Sequence, residues 1–250
     1  MTEQALSFVR GCKDQPFLLH VHWTIPHANN EGGRVYGDGM EVPDYGPYEK
    51  RDWKNTSKGQ AAMVTWMDRD VGRLLDLLRE LKIDHRTLVV FTSDNGPHSE
   101  GGHKHEVFDA NGPLRGFKRD LYEGGIRVPT IAWWPGVVEA GTTCSEPLAF
   151  WDFLPTACQL AGAVVGSSID GISFVDALRG KEQRSHEYLY WKYGRKEAVR
   201  SGQWKLVQNN PGGPPELYNL QSDPGEQRDL AASEEKLVRK LQGYLAAAVK

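Results

Sequence analysis

An acidic and an amide side chain stand side by side at Asp94-Asn95-Gly96, directly after the apolar run 87–93. The β-branched residues of that run predict a strand, and ligands of open α/β sheets bind at the carboxyl ends of strands. A carboxylate and an amide oxygen are hard donors, which suit calcium or magnesium better than zinc. The same tripeptide is also a good turn sequence, so by itself it leaves a purely structural role open.

Two cationic or titratable side chains are further candidates for chemistry. His27 follows Pro26 just past the apolar run 16–23, and an imidazole is well suited to donating a proton near neutral pH. Lys118 lies between Arg115 and Arg119, where an ammonium group could bind an oxyanion. Taken alone, each residue has a simpler interpretation, as a structural histidine and as a solvated surface lysine.

Three further histidines, His98, His103 and His105, lie in one short stretch together with Glu100 and Glu106. A second metal site is conceivable there. The spacing fits neither a helical nor a hairpin register, however, so we expect solvated loop residues or substrate contacts instead of metal ligands.

Aromatic side chains mark the long segment 28–55, which is rich in Gly, Pro and Asp and shows no helical period. Such a segment predicts a wall or lid of a pocket. Tyr45, Tyr48 and Trp53 could stack on a sugar ring, or they could seal a lid by packing against one another. The sequence leaves both interpretations open.

The elements around these residues predict an α/β fold. The run 16–23 predicts a strand, and a helix is predicted from the capping box at 57–60 through apolar residues spaced three and four apart as far as Leu81. The run 87–93 is too uniformly apolar for a half-exposed strand and predicts burial in a parallel sheet covered by helices. A chain of 250 residues can bury one core, with or without a small module.

The pattern changes near residue 185. Before it, a strand is predicted at 126–134 and helices at 152–160 and 173–178. After it come a last helix capped by Ser233 and short strands separated by turns, at 188–193, 197–200, 204–208 and 216–220. We therefore predict a catalytic portion over 1–184 and a small antiparallel α+β subdomain over 185–250.

Composition excludes several classes of partner. A net charge of −3 offers no basic surface for nucleic acid, and no run approaches the roughly 20 apolar residues of a membrane span. The N-terminus has no signal-peptide pattern. Cys12, Cys144 and Cys158 are far apart and odd in number, so they predict neither a zinc site nor a full disulfide framework.

The joint order of several short motifs is more specific than any one of them. In order and spacing they resemble the sulfatase family of the alkaline-phosphatase superfamily over nearly the whole chain; the motifs are Pro26-His27, 93–97, 111–118, 122–129, 133–136, 199–206, 216–220 and 223–226. The resemblance implies a mixed sheet flanked by helices, here incomplete, with a small C-terminal antiparallel sheet alongside. That fold agrees with the α/β prediction from the residues.

The resemblance also implies roles for the candidate residues. Asp94 and Asn95 would be ligands of a divalent cation, usually Ca²⁺, with Mg²⁺ possible. Lys118 would contact the sulfate and the leaving oxygen, and His27 would stabilise or protonate the leaving alcohol. The substrate would be a small-molecule or carbohydrate sulfate ester, and the compartment would be the periplasm, the lysosome or the exterior.

The chain departs from the family pattern in one respect. The family's nucleophile is a formylglycine made within Cys/Ser-x-Pro-x-Arg, and the sequence after Cys12, Cys144 and Cys158 does not fit. We therefore expect the nucleophile and further metal ligands upstream of Met1, and we expect this chain alone to be inactive and poorly soluble. A phosphodiester or phosphonate-ester hydrolase and a non-catalytic sulfatase-like binding protein remain alternatives.

Overall fold

The computed structural model describes residues 1–166 and 168–248, which form two compact units. The first unit contains Met1–Val89 and Pro97–Ala110, and the second contains Val90–Gly96 and the chain from Asn111 onward. Helices and antiparallel strands occur together, so the α/β class is confirmed. The division at residue 185 stays a prediction, since the units follow spatial contacts and not a single cut in the chain.

The first unit is built on helices. They are α1 (Thr2–Cys12), α2 (Asn30–Tyr36) and α3 (Asn55–Glu80), with short 3₁₀ turns at Gly46–Tyr48, Asp84–Arg86 and His105–Phe108. The long helix is confirmed, but the capping box at 57–60 is wrong because the helix already begins at Asn55. Within its first turn, the Ser57 hydroxyl pairs with His103 Nδ1 at 3.3 Å.

Helix α1 packs beside α3 through polar contacts at its start. The Thr2 hydroxyl donates to Asp70 Oδ2 at 2.8 Å, and Arg73 forms an ion pair with Glu3. The predicted strand at 16–23 is wrong, because residues 16–24 belong to no helix or strand. A strand needs a hydrogen-bonding neighbour, and no described residue pairs with this segment.

Strands β1 (Val89–Thr92) and β2 (Thr130–Trp133) form a two-stranded sheet that belongs to the second unit from Val90 onward. The hydroxyls of Thr92 and Thr130 lie 3.0 Å apart. Every residue of β1 is half-buried, so the expectation of a fully buried strand is wrong. The second unit also contains three short helices, α4 (Glu123–Ile126), α5 (Phe153–Ala161) and α6 (Val175–Leu178). The last two agree with the predicted helices.

The C-terminal part of the second unit is the predicted meander. Its strands pair antiparallel in chain order: β3 (Leu189–Tyr193), β4 (Lys196–Ser201), β5 (Trp204–Gln208) and β6 (Glu216–Asn219). Helix α7 (Glu235–Ala248) covers one face of this sheet with Leu241 and Leu245. Ser233 lies before the helix, and its hydroxyl donates to Leu230 O at 3.1 Å. None of the helices in the described residues is long and apolar enough to span a bilayer.

The opposite face of the same sheet carries the loop that contains Lys118. Ala198, Val207 and Tyr218 form a buried cluster with Leu121 and Tyr122. Because side chains alternate along each strand, one face of the sheet holds α7 and the other holds this loop. The meander therefore supports the loop that bears the candidate site residue Lys118.

Candidate functional site

Three backbone segments of the second unit pack together at glycines. Gly96 N donates to Gly125 O at 3.0 Å, and a Cβ added at Gly96 would collide with Gly124 O. Gly124 N donates to Arg115 O at 2.7 Å, and a Cβ added at Gly124 would collide with Gly116 O. We call Gly96, Gly124 and Gly125 the glycine stack. It brings the end of β1, helix α4 and the loop 115–120 into direct backbone contact.

The Asp94-Asn95 pair lies at one edge of the glycine stack. Asp94 is exposed, and its carboxylate accepts no hydrogen bond from any described residue. Asn95 Nδ2 donates to Gly96 O at 2.9 Å, which leaves Asn95 Oδ1 as the acceptor of that side chain. The two oxygens suit a hard cation, although calcium takes six to eight ligands. Among residues 1–166 and 168–248, no group of three His, Cys, Asp or Glu side chains could hold a metal.

Lys118 lies on a loop that is fixed from two sides. Phe117 N donates to Asp120 Oδ2 at 3.3 Å, which closes the loop on itself. Lys196 of β4 donates to Asp120 Oδ1 at 2.8 Å and to Arg119 O at 3.2 Å. Lys118 is half-buried and makes interactions of its own, so it is not the fully solvated surface lysine that the sequence left open.

A buried charge cluster holds helix α4 on the meander. Lys205 is 0% exposed, and its Nζ donates to Glu123 Oε1 at 2.9 Å. It also lies 2.9 Å from Glu226 Oε1 as an ion pair, without hydrogen-bond geometry. Glu226 Oε2 accepts from Glu123 N at 2.6 Å, and Arg200 lies 3.6 Å from Glu123 Oε2. We call Lys205, Glu123 and Glu226 the Lys205 cluster.

Burial governs the electrostatics of the Lys205 cluster. It raises the pKa of Glu226 above its ordinary value, while the neighbouring Lys205 acts in the opposite direction. Sequence reasoning missed this cluster, although one signal was present. Lys205 stands between apolar neighbours in β5, and lysine is almost never fully buried unless it is paired.

Arg115 joins the loop to the meander beside the Lys205 cluster. Its guanidinium lies 3.8 Å from the centre of the Tyr122 ring and donates to Tyr218 Oη at 2.8 Å and to Glu226 O at 3.0 Å. Burial, with the hydrogen bond to Glu216, raises the pKa of Tyr122 to about 12. The loop with Lys118 is thus held by a cation, two phenols and a carboxylate.

His27 belongs to the first unit. Its Nδ1 lies 2.8 Å from Ala28 O, and its Nε2 lies 3.7 Å from the Glu100 carboxylate. Its side chain is 47% exposed, so the ring can reach a solvent-borne ligand. The structure thus places Asp94, Asn95 and Lys118 in the second unit and His27 in the first.

The three clustered histidines of the first unit are not solvated, contrary to the sequence expectation. His98, His103 and His105 are at most 9% exposed. His98 Nε2 lies 3.1 Å from Pro26 O, His105 Nδ1 lies 2.7 Å from the Ser99 hydroxyl, and His103 stacks on Phe108 at 5.4 Å. His98 and, through Ser57, His103 contact distant parts of the unit, so these imidazoles act as polar core residues.

The stability of the first unit should depend on pH through His103. Burial, with repulsion from His98 and His105 and a smaller opposing effect of Glu106, lowers the pKa of His103 to about 4 from its ordinary 6.5. An unfolded chain binds a proton at this histidine between these two values, whereas the folded chain does not. Stability should therefore fall as the pH drops from about 6.5 to about 4, by about 3 kcal/mol from this group.

Urea unfolding of wild type and His103→Gln across this pH range checks the expectation. The variant should lose less stability toward low pH than wild type, because glutamine does not titrate. His85→Gln, at an exposed side chain, is the matched control and should keep the wild-type slope. Equal slopes for wild type and His103→Gln would show that another group causes the acid sensitivity.

Family models match the chain from end to end. Residues 1–163 match the sulfatase model, and residues 114–249 match the model of the C-terminal region of N-sulphoglucosamine sulphohydrolase. The chain belongs to the sulfatase family. The sulfatase match includes the motif residues His27, Asp94, Asn95 and Lys118.

Individual sulfatases agree with this assignment. Human steryl-sulfatase is 36% identical over 204 residues, which cover 76% of this chain and 31% of that protein. Mouse steryl-sulfatase is 32% identical over 297 residues, which cover 100% of this chain and 43% of that protein. The crystal structure described as Ps i-CgsB in complex with k-i-k-neocarrahexaose superposes with a TM-score of 0.83 at 28% identity, covering 98% of this chain and 53% of the other.

The chain therefore spans less than half the length of these two curated sulfatases. The solved neighbour confirms the predicted sulfatase fold of the alkaline-phosphatase-like class.

Proposed function

We propose that this chain forms part of the catalytic domain of a metal-dependent sulfatase that hydrolyses sulfate esters. The whole protein would carry the activity, since its relatives are more than twice as long as the matched region. Membership in the sulfatase family supports the reaction class. The solved neighbour in complex with a carrahexaose supports a carbohydrate sulfate ester as the substrate. A secreted, lysosomal or periplasmic location follows from the family and belongs to the same proposal.

The observation that carries the proposal is the glycine stack. It packs the segment after β1, which bears Asp94 and Asn95, against α4, and it packs α4 against the loop that bears Lys118, in both cases through backbone atoms. A donor pair for a hard cation and a half-buried ammonium group are thereby held on two segments that pack against the same short helix, α4. Such rigid support for a site on short loops is what catalysis by positioned charge requires.

Asp94 Oδ and Asn95 Oδ1 would hold Ca²⁺, with Mg²⁺ as the second choice, and would supply two of its oxygen ligands. The bound cation supplies positive charge that polarises and orients a sulfate oxygen. Lys118 would donate to the sulfate oxygens and stabilise charge on the leaving oxygen, and His27 would give a proton to the leaving alcohol. The nucleophile would be a formylglycine provided from outside this chain.

Replacing Asp94 by alanine should remove both the cation and the activity in the full-length parent sulfatase. The lost carboxylate is a direct ligand, so we expect turnover of 4-nitrophenyl sulfate to fall more than about 100-fold. Metal analysis of the purified variant should show a matching loss of calcium. The fold should persist, because the Asp94 carboxylate is exposed and accepts no hydrogen bond from the described residues.

Two matched variants separate the roles. Asp68→Ala removes an exposed carboxylate from α3 and should leave calcium and turnover unchanged. Lys118→Ala should lower turnover while calcium content is preserved, because lysine binds the sulfate and not the cation. Wild-type calcium content in Asp94→Ala would remove Asp94 from the metal site. A faster reaction with an aryl phosphodiester than with the aryl sulfate would favour the phosphodiesterase alternative.

A further inference from the structure

A largely buried carboxylate faces the His27 ring within the first unit. The side chain of Glu100 is 11% exposed, and its Oε2 lies 3.7 Å from His27 Nε2. The other ring nitrogen of His27, Nδ1, lies 2.8 Å from Ala28 O. Oxygen acceptors thus face both nitrogens of the ring, and only a ring that carries a hydrogen on each nitrogen can donate toward both of them.

The backbone next to Glu100 is packed against the segment that carries His27. Gly39 N donates to Gly101 O at 3.0 Å, and a Cβ added at Gly101 would lie 2.8 Å from the Cβ of Ala28. Gly101 also has a φ of +61°, a conformation that glycine adopts without strain. Because these contacts are made at glycines, the loop approaches closely, and Glu100 has a fixed place beside His27.

His98 connects the two sides of this contact. Its Nε2 lies 3.1 Å from Pro26 O, and its Nδ1 accepts from Glu100 N at 3.2 Å. Because Nδ1 accepts, the hydrogen-bond network assigns the ring hydrogen to Nε2, which donates to Pro26 O. The centre of the His98 ring lies 6.1 Å from the centre of the His27 ring. One imidazole therefore ties the residue before His27 to the backbone of Glu100.

The length of the contact between Glu100 and His27 suits an acid that must release its proton. At 3.7 Å the carboxylate attracts a protonated ring but is too far away to hold its hydrogen in a hydrogen bond. This attraction is stronger for a largely buried carboxylate than for one in water. The His27 side chain is 47% exposed, so the oxygen of a substrate can approach Nε2 from solvent.

We propose that Glu100 is a positioning residue for His27 in the hydrolysis of sulfate esters. The proposal rests on the proposed function, in which His27 gives a proton to the leaving alcohol. As the nucleophile bonds to sulfur, the S–O bond to the alcohol breaks and its electron pair passes to the alcohol oxygen. That oxygen takes the hydrogen from His27 Nε2, and water later reprotonates the ring. Glu100 exchanges no proton and keeps the ring oriented through its charge.

The identity of the leaving group separates this role from a general effect on the fold. 4-Nitrophenolate leaves readily without a proton, whereas phenolate needs one more. In the full-length parent sulfatase, Glu100→Gln should therefore lower kcat about 10-fold or more for phenyl sulfate and less than about 3-fold for 4-nitrophenyl sulfate, with KM unchanged. Glu80→Gln, which breaks an exposed ion pair with Arg10, is the matched control and should keep both rates. An equal loss for the two esters would overturn the proposal.

A double variant tests whether Glu100 acts through His27. His27→Ala should show the same dependence on the leaving group, with a larger loss for phenyl sulfate. His27→Ala combined with Glu100→Gln should be no slower than His27→Ala alone, because a carboxylate cannot position a ring that is missing. A further loss of about 10-fold in the double variant would show that Glu100 acts on the substrate itself, which contradicts the positioning role.

A measurement without turnover distinguishes failure of this proposal from failure of the proposed function. The ring ¹⁵N resonances of His27 are identified in histidine-labelled protein by their absence from His27→Ala. At one fixed pH they should shift in Glu100→Gln and stay in place in Glu80→Gln. Unchanged His27 resonances in Glu100→Gln would overturn the proposal even in an active sulfatase. Shifted resonances in a protein that hydrolyses neither ester would support the placement of His27 by Glu100 and contradict the proposed sulfatase activity.

Discussion

Replacement of Lys205 by alanine is expected to lower the free energy of unfolding of the second unit by about 3–5 kcal/mol. The lysine ammonium is fully buried and compensates two carboxylates, those of Glu123 and Glu226, which are themselves at most 2% exposed. Without Lys205 these carboxylates remain buried next to each other, and among the described residues only Arg200, 3.6 Å from Glu123, forms an ion pair with either of them. The expected loss exceeds that of an ordinary buried contact, because an uncompensated charge is left behind.

Urea unfolding followed by tryptophan fluorescence measures this effect, and strand β3 of the same sheet supplies a control. Lys192→Ala breaks an ion pair with Glu197 whose lysine is 52% exposed, and such a surface pair contributes at most about 1 kcal/mol. A loss in Lys205→Ala no larger than in Lys192→Ala would contradict the role of the Lys205 cluster.

The pH should modify the Lys205→Ala result in one direction. Burial already raises the pKa of Glu226, and removal of Lys205 takes away the charge that opposes this shift. Protonation of one carboxyl then relieves the repulsion, so the loss should be smaller at pH 5 than at pH 8. The triple variant Lys205→Met, Glu123→Gln, Glu226→Gln carries no buried charge at these positions and should recover part of the stability.

Replacement of Gly96 by alanine is the second large expected effect. Its backbone is not in the left-handed region, so alanine meets no conformational penalty there, and the cost is steric alone. The added Cβ would collide with the carbonyl oxygen of Gly124, which is backbone and cannot move aside as a side chain can. We expect about 3 kcal/mol of destabilisation, at the upper end for overpacking.

The same substitution should act on catalysis in the full-length sulfatase. Gly96 separates the Asp94-Asn95 pair from α4, so a shift of about 1 Å at this contact would misplace the pair relative to Lys118. A displacement of that size can lower turnover about 100-fold. Turnover of 4-nitrophenyl sulfate by Gly96→Ala, compared with wild type, measures the effect.

Gly243 provides the control for Gly96→Ala. It lies in the exposed middle of α7, and an added Cβ would meet nothing within 4 Å. Gly243→Ala should therefore raise stability by roughly 0.5–1 kcal/mol through helix propensity, without an effect on turnover. If Gly96→Ala behaved like Gly243→Ala in both measurements, the glycine stack would have no positioning role.

Local patterns were sufficient to predict much of the architecture. The three- and four-residue spacing of apolar residues predicted α3, and turn-separated apolar segments predicted the meander β3–β6, because both patterns are properties of neighbouring residues. The strand at 16–23 failed for the complementary reason. An extended apolar segment becomes a strand only when another strand pairs with it. That pairing depends on residues elsewhere in the chain, so the segment's own sequence cannot predict it.

For the candidate site, too, part could be predicted from the sequence and part depended on the folded structure. The sequence by itself determined the family motifs and the residue types, a carboxylate and an amide after a strand and a lysine among arginines. Only the tertiary structure decided that Gly96 and Gly124 bring these segments together and that Lys205 is buried between two carboxylates. Each of these contacts joins residues far apart in the chain, and its energy depends on burial, which arises only when the chain is folded.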